Sequence, residues 1–224
     1  MPRPLRKVLI NYPHHITQRG NNKRLIFRSE DDYLKYIDLY NHYSDRNGLE
    51  TLAYCLMPNH VHFIGIPKSA DSLSKTFHAI NTQYSAFFNS KYELVGHLWQ
   101  QRYFSCALDE PHLYAAIRYV ELNPVSSQLV STPERWRWSS CRGNMQTSVP
   151  DIKLVGTNFW ITGFERWSDY LSIPVSAAEI DRIREKTRLG LPLGSDHFVQ
   201  KMSALMGVDL KHYPVGRPRK TEAT

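Results

Sequence analysis

Apolar positions along the first 130 residues switch repeatedly between two periods, and the switches predict the order of elements. Residues 8–17 are rich in β-branched and aromatic side chains, broken at Pro13. They read as a strand that gives out in the polar loop 18–23, QRGNNK, where Gly20 and Asn21 mark a turn. Over residues 30–46 the spacing becomes helical. Tyr33, Ile37, Tyr40 and Tyr43 recur at that period, Ser29 is placed to cap the start, and Asn47-Gly48 stops it. Residues 49–56 and 60–66 return to strand character on either side of the turn signal Pro58-Asn59, which makes a hairpin. A second helix over 71–91 carries the stripe Leu73, Phe77, Ile80, Tyr84 and Phe87/Phe88. Residues 98–108, with Trp99, Tyr103, Phe104 and Cys106, read as a fourth strand. A third helix opens at Glu110-Pro111, proline being accommodated in a first helical turn, and is expected to end at Asn123 because Pro124 follows.

The order β-α-β-β-α-β followed by a helix predicts an α+β fold of the ferredoxin-like, split-βαβ kind. In it one antiparallel sheet has helices on one face and leaves the other face for a ligand. Beyond residue 130 the pattern weakens. Residues 135–143 are basic and Trp-rich, 144–150 look like a linker, and 176–188 and 195–207 read as two amphipathic helices, the second capped by Ser195. A basic tail closes the chain. The expected organisation is a main domain over 1–145 and a mainly helical accessory region over 146–224.

Composition narrows the class. With 42% hydrophobic and 22% charged residues in 224, the chain is built to bury a core. No apolar run approaches the roughly 20 residues that cross a bilayer, and residues 1–15 show no signal-peptide pattern, so the expected address is cytoplasmic, near the nucleoid when bound to DNA. Cys55, Cys106 and Cys141 lie at spacings that fit neither a zinc site nor a disulfide framework, and are expected to be small buried residues. The formal charge of +7 fits a polyanionic partner. Its clustering at 3–7, 19–28, 135–142 and 211–220 sharpens this, and in the third cluster Trp136 and Trp138 interleave the cations in a way suited to stacking on unpaired bases.

The chemistry gathers in two short stretches. In YCLMPNHVHFIGIP, residues 54–67, His60 and His62 share a strand face while Val61 points the other way. Two neutral imidazoles at that spacing fit either one divalent ion or a pair of ordinary hydrogen-bonded strand histidines. In EPHLYAAIRYVELNPV, residues 110–125, Leu113, Ala116, Ile117 and Val120 form the apolar stripe. Tyr119 and Asn123, four apart, lie together on its flank, well away from Tyr114. Two histidines and the Asn123 amide oxygen can hold a divalent ion, imidazoles by themselves suiting zinc as well as Mg²⁺ or Mn²⁺, with positions left open for phosphate oxygens. Tyr119 then sits as a nucleophile, although an ordinary phenol titrates at about 10 and the sequence names no base. Packing at a helix–sheet boundary is the other reading of Tyr119.

Five blocks settle on one resemblance: HITQRGNNKRLIF (15–27), YCLMPNHVHFI (54–64), LWQQRYFSC (98–106), RYVELNPV (118–125) and RWRWSSCRG (135–143). In order and spacing they resemble the single-tyrosine transposases of the HUH endonuclease superfamily, in particular the branch associated with repetitive extragenic palindromes. The resemblance spans about the first 145 residues. It implies that His60 and His62 are the metal-binding pair, Tyr119 the nucleophile and Asn123 the third ligand, where insertion-sequence relatives carry Gln. It also implies a metal-dependent endonuclease and strand transferase that cuts single-stranded DNA near a hairpin with Mg²⁺ or Mn²⁺, forms a 5′-phosphotyrosine and acts as a monomer or homodimer. Candidate DNA contacts are Arg19, Asn21, Asn22 and Lys23 in the first loop, Trp99, Gln100 and Arg102 on the fourth strand, and Arg135, Trp136 and Arg137. Arg217 and Arg219 in the tail resemble a minor-groove-binding core. The competing functions are a nicking initiator of replication, and a domesticated hairpin-binding protein without catalysis. Paired tyrosines or a further motif histidine would favour the first; erosion of the His–His–Tyr–Asn set would favour the second. None of these features is present.

Overall fold

Pro13 decides where the sheet begins. It has no N–H to give to a ladder, and in the computed structural model, which describes residues 8–155 and 166–210, strand β1 (His14–Arg19) starts directly after it. The expected strand over 8–17 is therefore shifted toward the C-terminus. Residues 8–12 form a turn, with the Tyr12 N–H on the Leu9 carbonyl at 3.4 Å. Gln18 and Arg19, expected in a loop, instead pair with Val61 and His60. Helix α1 (Glu30–Arg46) follows with Ser29 and Asp32 forming a capping box, then β2 (Leu49–Met57), β3 (His60–Pro67), α2 (Ser72–Lys91), β4 (Phe104–Ala107) and α3 (Glu110–Ser126). The sheet order is β2-β3-β1-β4 with every neighbour antiparallel, the ferredoxin-like arrangement expected.

Two predicted boundaries move for local reasons. Of residues 98–108 only Phe104–Ala107 is strand. Leu98 and Tyr103 are buried because they cap the aromatic core, and the backbone of 98–100 meets the end of β1 and the turn after it through single bonds, Gln100 N–H to Arg19 O at 3.0 Å and Asn21 N–H to Leu98 O at 2.8 Å. Helix α3 runs through Pro124 to Ser126 instead of ending at Asn123, since a proline so near the last turn forfeits one helical hydrogen bond without stopping the chain from coiling.

Alternation along the strands sorts two cores. Ile16, Tyr54, Leu56, Val61 and Phe63 face α1 and α2 in a core of rings, with Tyr40 stacked on Phe63 at 4.1 Å. Ala53, Cys55, Ile64 and Cys106 face the other way, against Ala116, Ile117 and Val120 of α3. The face expected to be free is thus partly roofed by α3.

The later chain is laid on the same frame. Trp138 and Ser140 bond to Leu56 and Tyr54, continuing the sheet past the edge of β2. Short helices α4 (Cys141–Asn144) and α5 (Trp167–Leu171) follow. Residues 144–150, expected to link, lead to the fully buried Ile152. Asn144 Nδ2 and Trp167 Nε1 both donate to the buried Glu121 carboxylate, at 2.7 and 2.6 Å; burial raises the pKa of that acid and these bonds oppose the rise. Helix α6 (Ala177–Leu189) packs on β4, and the chain after it pairs alongside β4 through the Leu193 N–H and Ala107 O at 2.8 Å. Helix α7 (Asp196–Met206) buries Phe198 and Met202 beside Leu9. The three cysteines are free and buried. No helix of the described residues is long and apolar enough to cross a membrane.

Gly20 closes β1 where the chain turns under the hairpin. A Cβ there would lie 2.4 Å from the Arg24 carbonyl oxygen and 2.8 Å from Ile26 Cγ2, both of them immobile. Gly20→Ala should therefore destabilise the fold by about 1–3 kcal/mol, the usual effect of forcing a methyl into filled space, read as a lower midpoint in urea with an unchanged slope.

Candidate active site

The shifted register of β1 builds the site. Thr17 stands opposite His62 and Arg19 opposite His60, so His15, Thr17 and Arg19 share the face from which the two β3 histidines project. The His60 and His62 rings lie 4.9 Å apart with their planes at 81°. From above, α3 brings the Tyr119 ring edge-on to His62 at 5.5 Å and to His15 at 5.9 Å. One helical turn later Asn123 donates from Nδ2 to the Tyr119 carbonyl at 3.0 Å, which leaves its Oδ1 as the end available to a ligand. These groups line one cleft of roughly 500 Å³ with Arg19, Gln100, Arg102, Arg184 and Arg188. Four guanidinium groups and no carboxylate appear among the described residues of its wall. Such a wall selects for anions.

Each histidine is held by its Nδ1. That of His60 bonds Asn59 Oδ1 at 2.6 Å, and that of His62 bonds His15 Nε2 at 2.9 Å. Burial lowers the His60 pKa to about 3, helped by the charges of Arg19 and Arg184; burial also holds His62 well below the usual range, helped by His60, His15 and the same arginines. His15, wholly buried, is lowered to about 3 by burial. All three rings are neutral at physiological pH. The donor set therefore fits a divalent ion: two neutral imidazoles with Nε2 left over, and an amide oxygen in the same cleft. Among the described residues no three His, Cys, Asp or Glu side chains converge as a cage, and Asn123 brings the amide of α3 to this cleft.

With this geometry the comparisons with known proteins become specific. The family described as IS200-like transposases matches residues 9–123, just over half of the chain and all of the elements from β1 to the core of α3. The chain belongs to the IS200-like transposases. It is similar to a REP-associated tyrosine transposase of Haemophilus influenzae, 25% identical over 146 residues that cover 56% of this chain and 82% of the relative. A solved REP-associated tyrosine transposase, bound to a REP hairpin, shares the fold with a TM-score of 0.55 at 18% identity, over 73% of this chain and 98% of its own.

Not every residue singled out in this IS200-like chain meets the cleft. Trp99 is turned inward against Tyr36 and Tyr84, at 6.3 and 6.1 Å. Asn21, Asn22 and Lys23 form a 3₁₀ turn outside the cleft wall, tied to the hairpin by Asn59 Nδ2 on the Lys23 carbonyl at 3.3 Å. Trp136 is half-buried and donates Nε1 to Leu56 O at 3.1 Å, Arg137 pairs with Glu30, and Trp138 stacks on Tyr33 at 4.4 Å. Those two indoles are engaged by the protein itself, and Arg135, Trp136 and Arg137 do not line the cleft. Arg217 and Arg219 lie outside the described residues.

Conversely, His15, Arg184, Thr187 and Arg188 line the cleft and went unread. Arg184 Nε donates to the Tyr119 oxygen at 3.2 Å. Thr187 bonds His15 Nδ1 at 2.7 Å. The three helical residues fall beyond the family match. A stripe reading of 176–188 would have caught Ile180, Ile183 and Thr187 on one face, and the alternation His15, Thr17, Arg19 would have caught the histidine.

Proposed function

We propose that this IS200-like transposase cleaves and rejoins single-stranded DNA beside a hairpin, with Tyr119 as nucleophile and His60, His62 and Asn123 as ligands of Mg²⁺ or Mn²⁺. The observation that carries the reading is the convergence of Tyr119 with two Nδ1-anchored, neutral histidines in a cleft walled by arginines. When bound, the ion supplies Lewis-acid polarisation of the scissile phosphate and charge neutralisation. The chain does the rest. Arg19, Arg102 and Arg188 neutralise the incoming backbone, and Gln100 adds a neutral hydrogen-bonding group beside them. Tyr119 gives up its phenolic proton as its oxygen bonds to phosphorus. The P–O3′ bond breaks, the departing oxygen takes a proton, and the products are a 5′-phosphotyrosine and a 3′-OH strand. Rejoining runs the same exchange backwards. Arg184, donating to the Tyr119 oxygen, stabilises negative charge on it in both directions. Likeness to a protein whose structure is solved bound to a REP hairpin supports hairpin DNA as the partner.

The test is incubation of the full chain with hairpin-bearing single-stranded oligonucleotides and Mn²⁺, resolved on a denaturing gel. A protein–DNA adduct that forms with Mn²⁺ or Mg²⁺ and is lost with EDTA is expected. His60→Ala and His62→Ala should lower it by at least about a hundredfold while hairpin binding without metal persists. Absence of any adduct across varied hairpins and metals would leave a binding protein instead.

A further inference from the structure

Behind His62 runs a buried hydrogen-bond chain that ends in helix α6, and its polarity can be read from atom types alone. Thr187 Oγ1 lies 2.6 Å from the Ile183 carbonyl, an acceptor only, so the single hydroxyl proton goes there. The same oxygen lies 2.7 Å from His15 Nδ1 and 3.2 Å from Cys106 Sγ, and must accept from both. His15 therefore carries its proton on Nδ1. A neutral imidazole has one N–H, so His15 Nε2 is a bare acceptor, and the His62 Nδ1 that faces it at 2.9 Å is the donor. His62 in turn has its proton on Nδ1 and its lone pair on Nε2. The two rings lie nearly parallel, at 11°, with centroids 5.1 Å apart, and His15 and Thr187 are 0% and 1% exposed, so no water competes for the chain. Asn59 does the same for His60 by a single direct bond.

We infer that Thr187 and His15 are positioning residues that fix the tautomer of His62, so that α6, far along the chain and outside the family match, sets a metal ligand of the site. The inference rests on the reading of His60 and His62 as metal ligands. Its physical content is directional. With the Thr187 hydroxyl removed, His15 Nδ1–H has no acceptor and the ring is free to move its proton to Nε2. That proton then faces His62 Nδ1, drives the His62 proton to Nε2, and blocks the ligand lone pair. Partners of this kind behind a metal ligand change affinity by about 10- to 100-fold.

Two measurements on the full chain decide it. In the metal-free wild type, ¹⁵N–¹H correlation of the imidazoles should show both His15 and His62 protonated at Nδ1; a proton on His62 Nε2 overturns the proposal, and this readout needs no variant. Mn²⁺ affinity without DNA, from the electron paramagnetic resonance signal of free Mn²⁺, should fall about 10- to 100-fold in Thr187→Val and return to within about threefold of wild type in Thr187→Ser, which keeps the hydroxyl. Thermal unfolding in EDTA checks that both variants fold, and if Thr187→Val does not, the tautomer measurement decides. His62→Ala separates the two levels. If Mn²⁺ uptake is indifferent to it, the metal reading falls and this inference with it. If uptake is lost in His62→Ala but intact in Thr187→Val, only the relay is overturned.

Discussion

Tyr119→Phe should give no covalent adduct with any hairpin, its cleavage falling at least about a thousandfold, as when a nucleophile is removed from its site. The substitution removes one oxygen and leaves the ring. The edge-on contacts with His62 and His15 depend on the ring, so the site around it stays packed. The lost hydrogen bond is one from an exposed arginine, and its removal should change stability by no more than about 1 kcal/mol. Hairpin affinity, set by the arginine wall, should stay within about twofold. Tyr114→Phe is the matched control: Tyr114 lies on the same helix but does not line the cleft, so its adduct should match wild type. An adduct that survives in Tyr119→Phe would remove the nucleophile assignment while leaving the cleft and its arginines as they are.

What the sequence made legible was whatever repeats locally. Helix α1 and the β2–β3 hairpin follow from spacing, caps and turn residues, and so does the fact that His60 and His62 share a face. What escaped depends on partners far away in the chain. Gln18 and Arg19 look like loop residues because they are polar, yet they lie on strand β1 against Val61 and His60, and only the pairing says so. Trp136 and Trp138 sit among cations and look like a platform for bases. A ring that stacks on Tyr33 or donates to the Leu56 carbonyl has the same local sequence as one that stacks on DNA. His15 and Thr187 are 172 residues apart, and no periodicity connects them. Tyr119 and Asn123 were legible as a pair because a helix places residues four apart on one side. The arginine that meets Tyr119 comes from another helix and was not.

That arginine carries the second large expected effect. Arg184→Met keeps an unbranched stem of similar length against the cleft wall but removes both the charge and the Nε–H that meets the Tyr119 oxygen at 3.2 Å. Negative charge develops on that oxygen when the phenolic proton leaves and again when the oxygen departs from phosphorus. Loss of a donor aimed at such an atom lowers rates by about 10²- to 10³-fold. Cleavage and rejoining should both drop by that order, and Arg184→Lys, which restores the charge but not the directed N–H, should recover only part. Metal binding distinguishes this from a general collapse of the site. Arg184 is one of the charges that hold His60 and His62 neutral, so removing it relieves repulsion toward a cation, and Mn²⁺ affinity should hold or rise. Thr187→Val, one turn further along the same helix, should weaken Mn²⁺ binding. Two neighbouring changes on α6 are thus expected to part in metal affinity, which falls in Thr187→Val and does not fall in Arg184→Met, while both lower cleavage, a pattern that simple loosening of the helix would not produce. If Arg184→Met cleaves at the wild-type rate, the stabilisation of the Tyr119 oxygen must come from elsewhere in the cleft, and Arg184 is left as one of four cations that attract the strand.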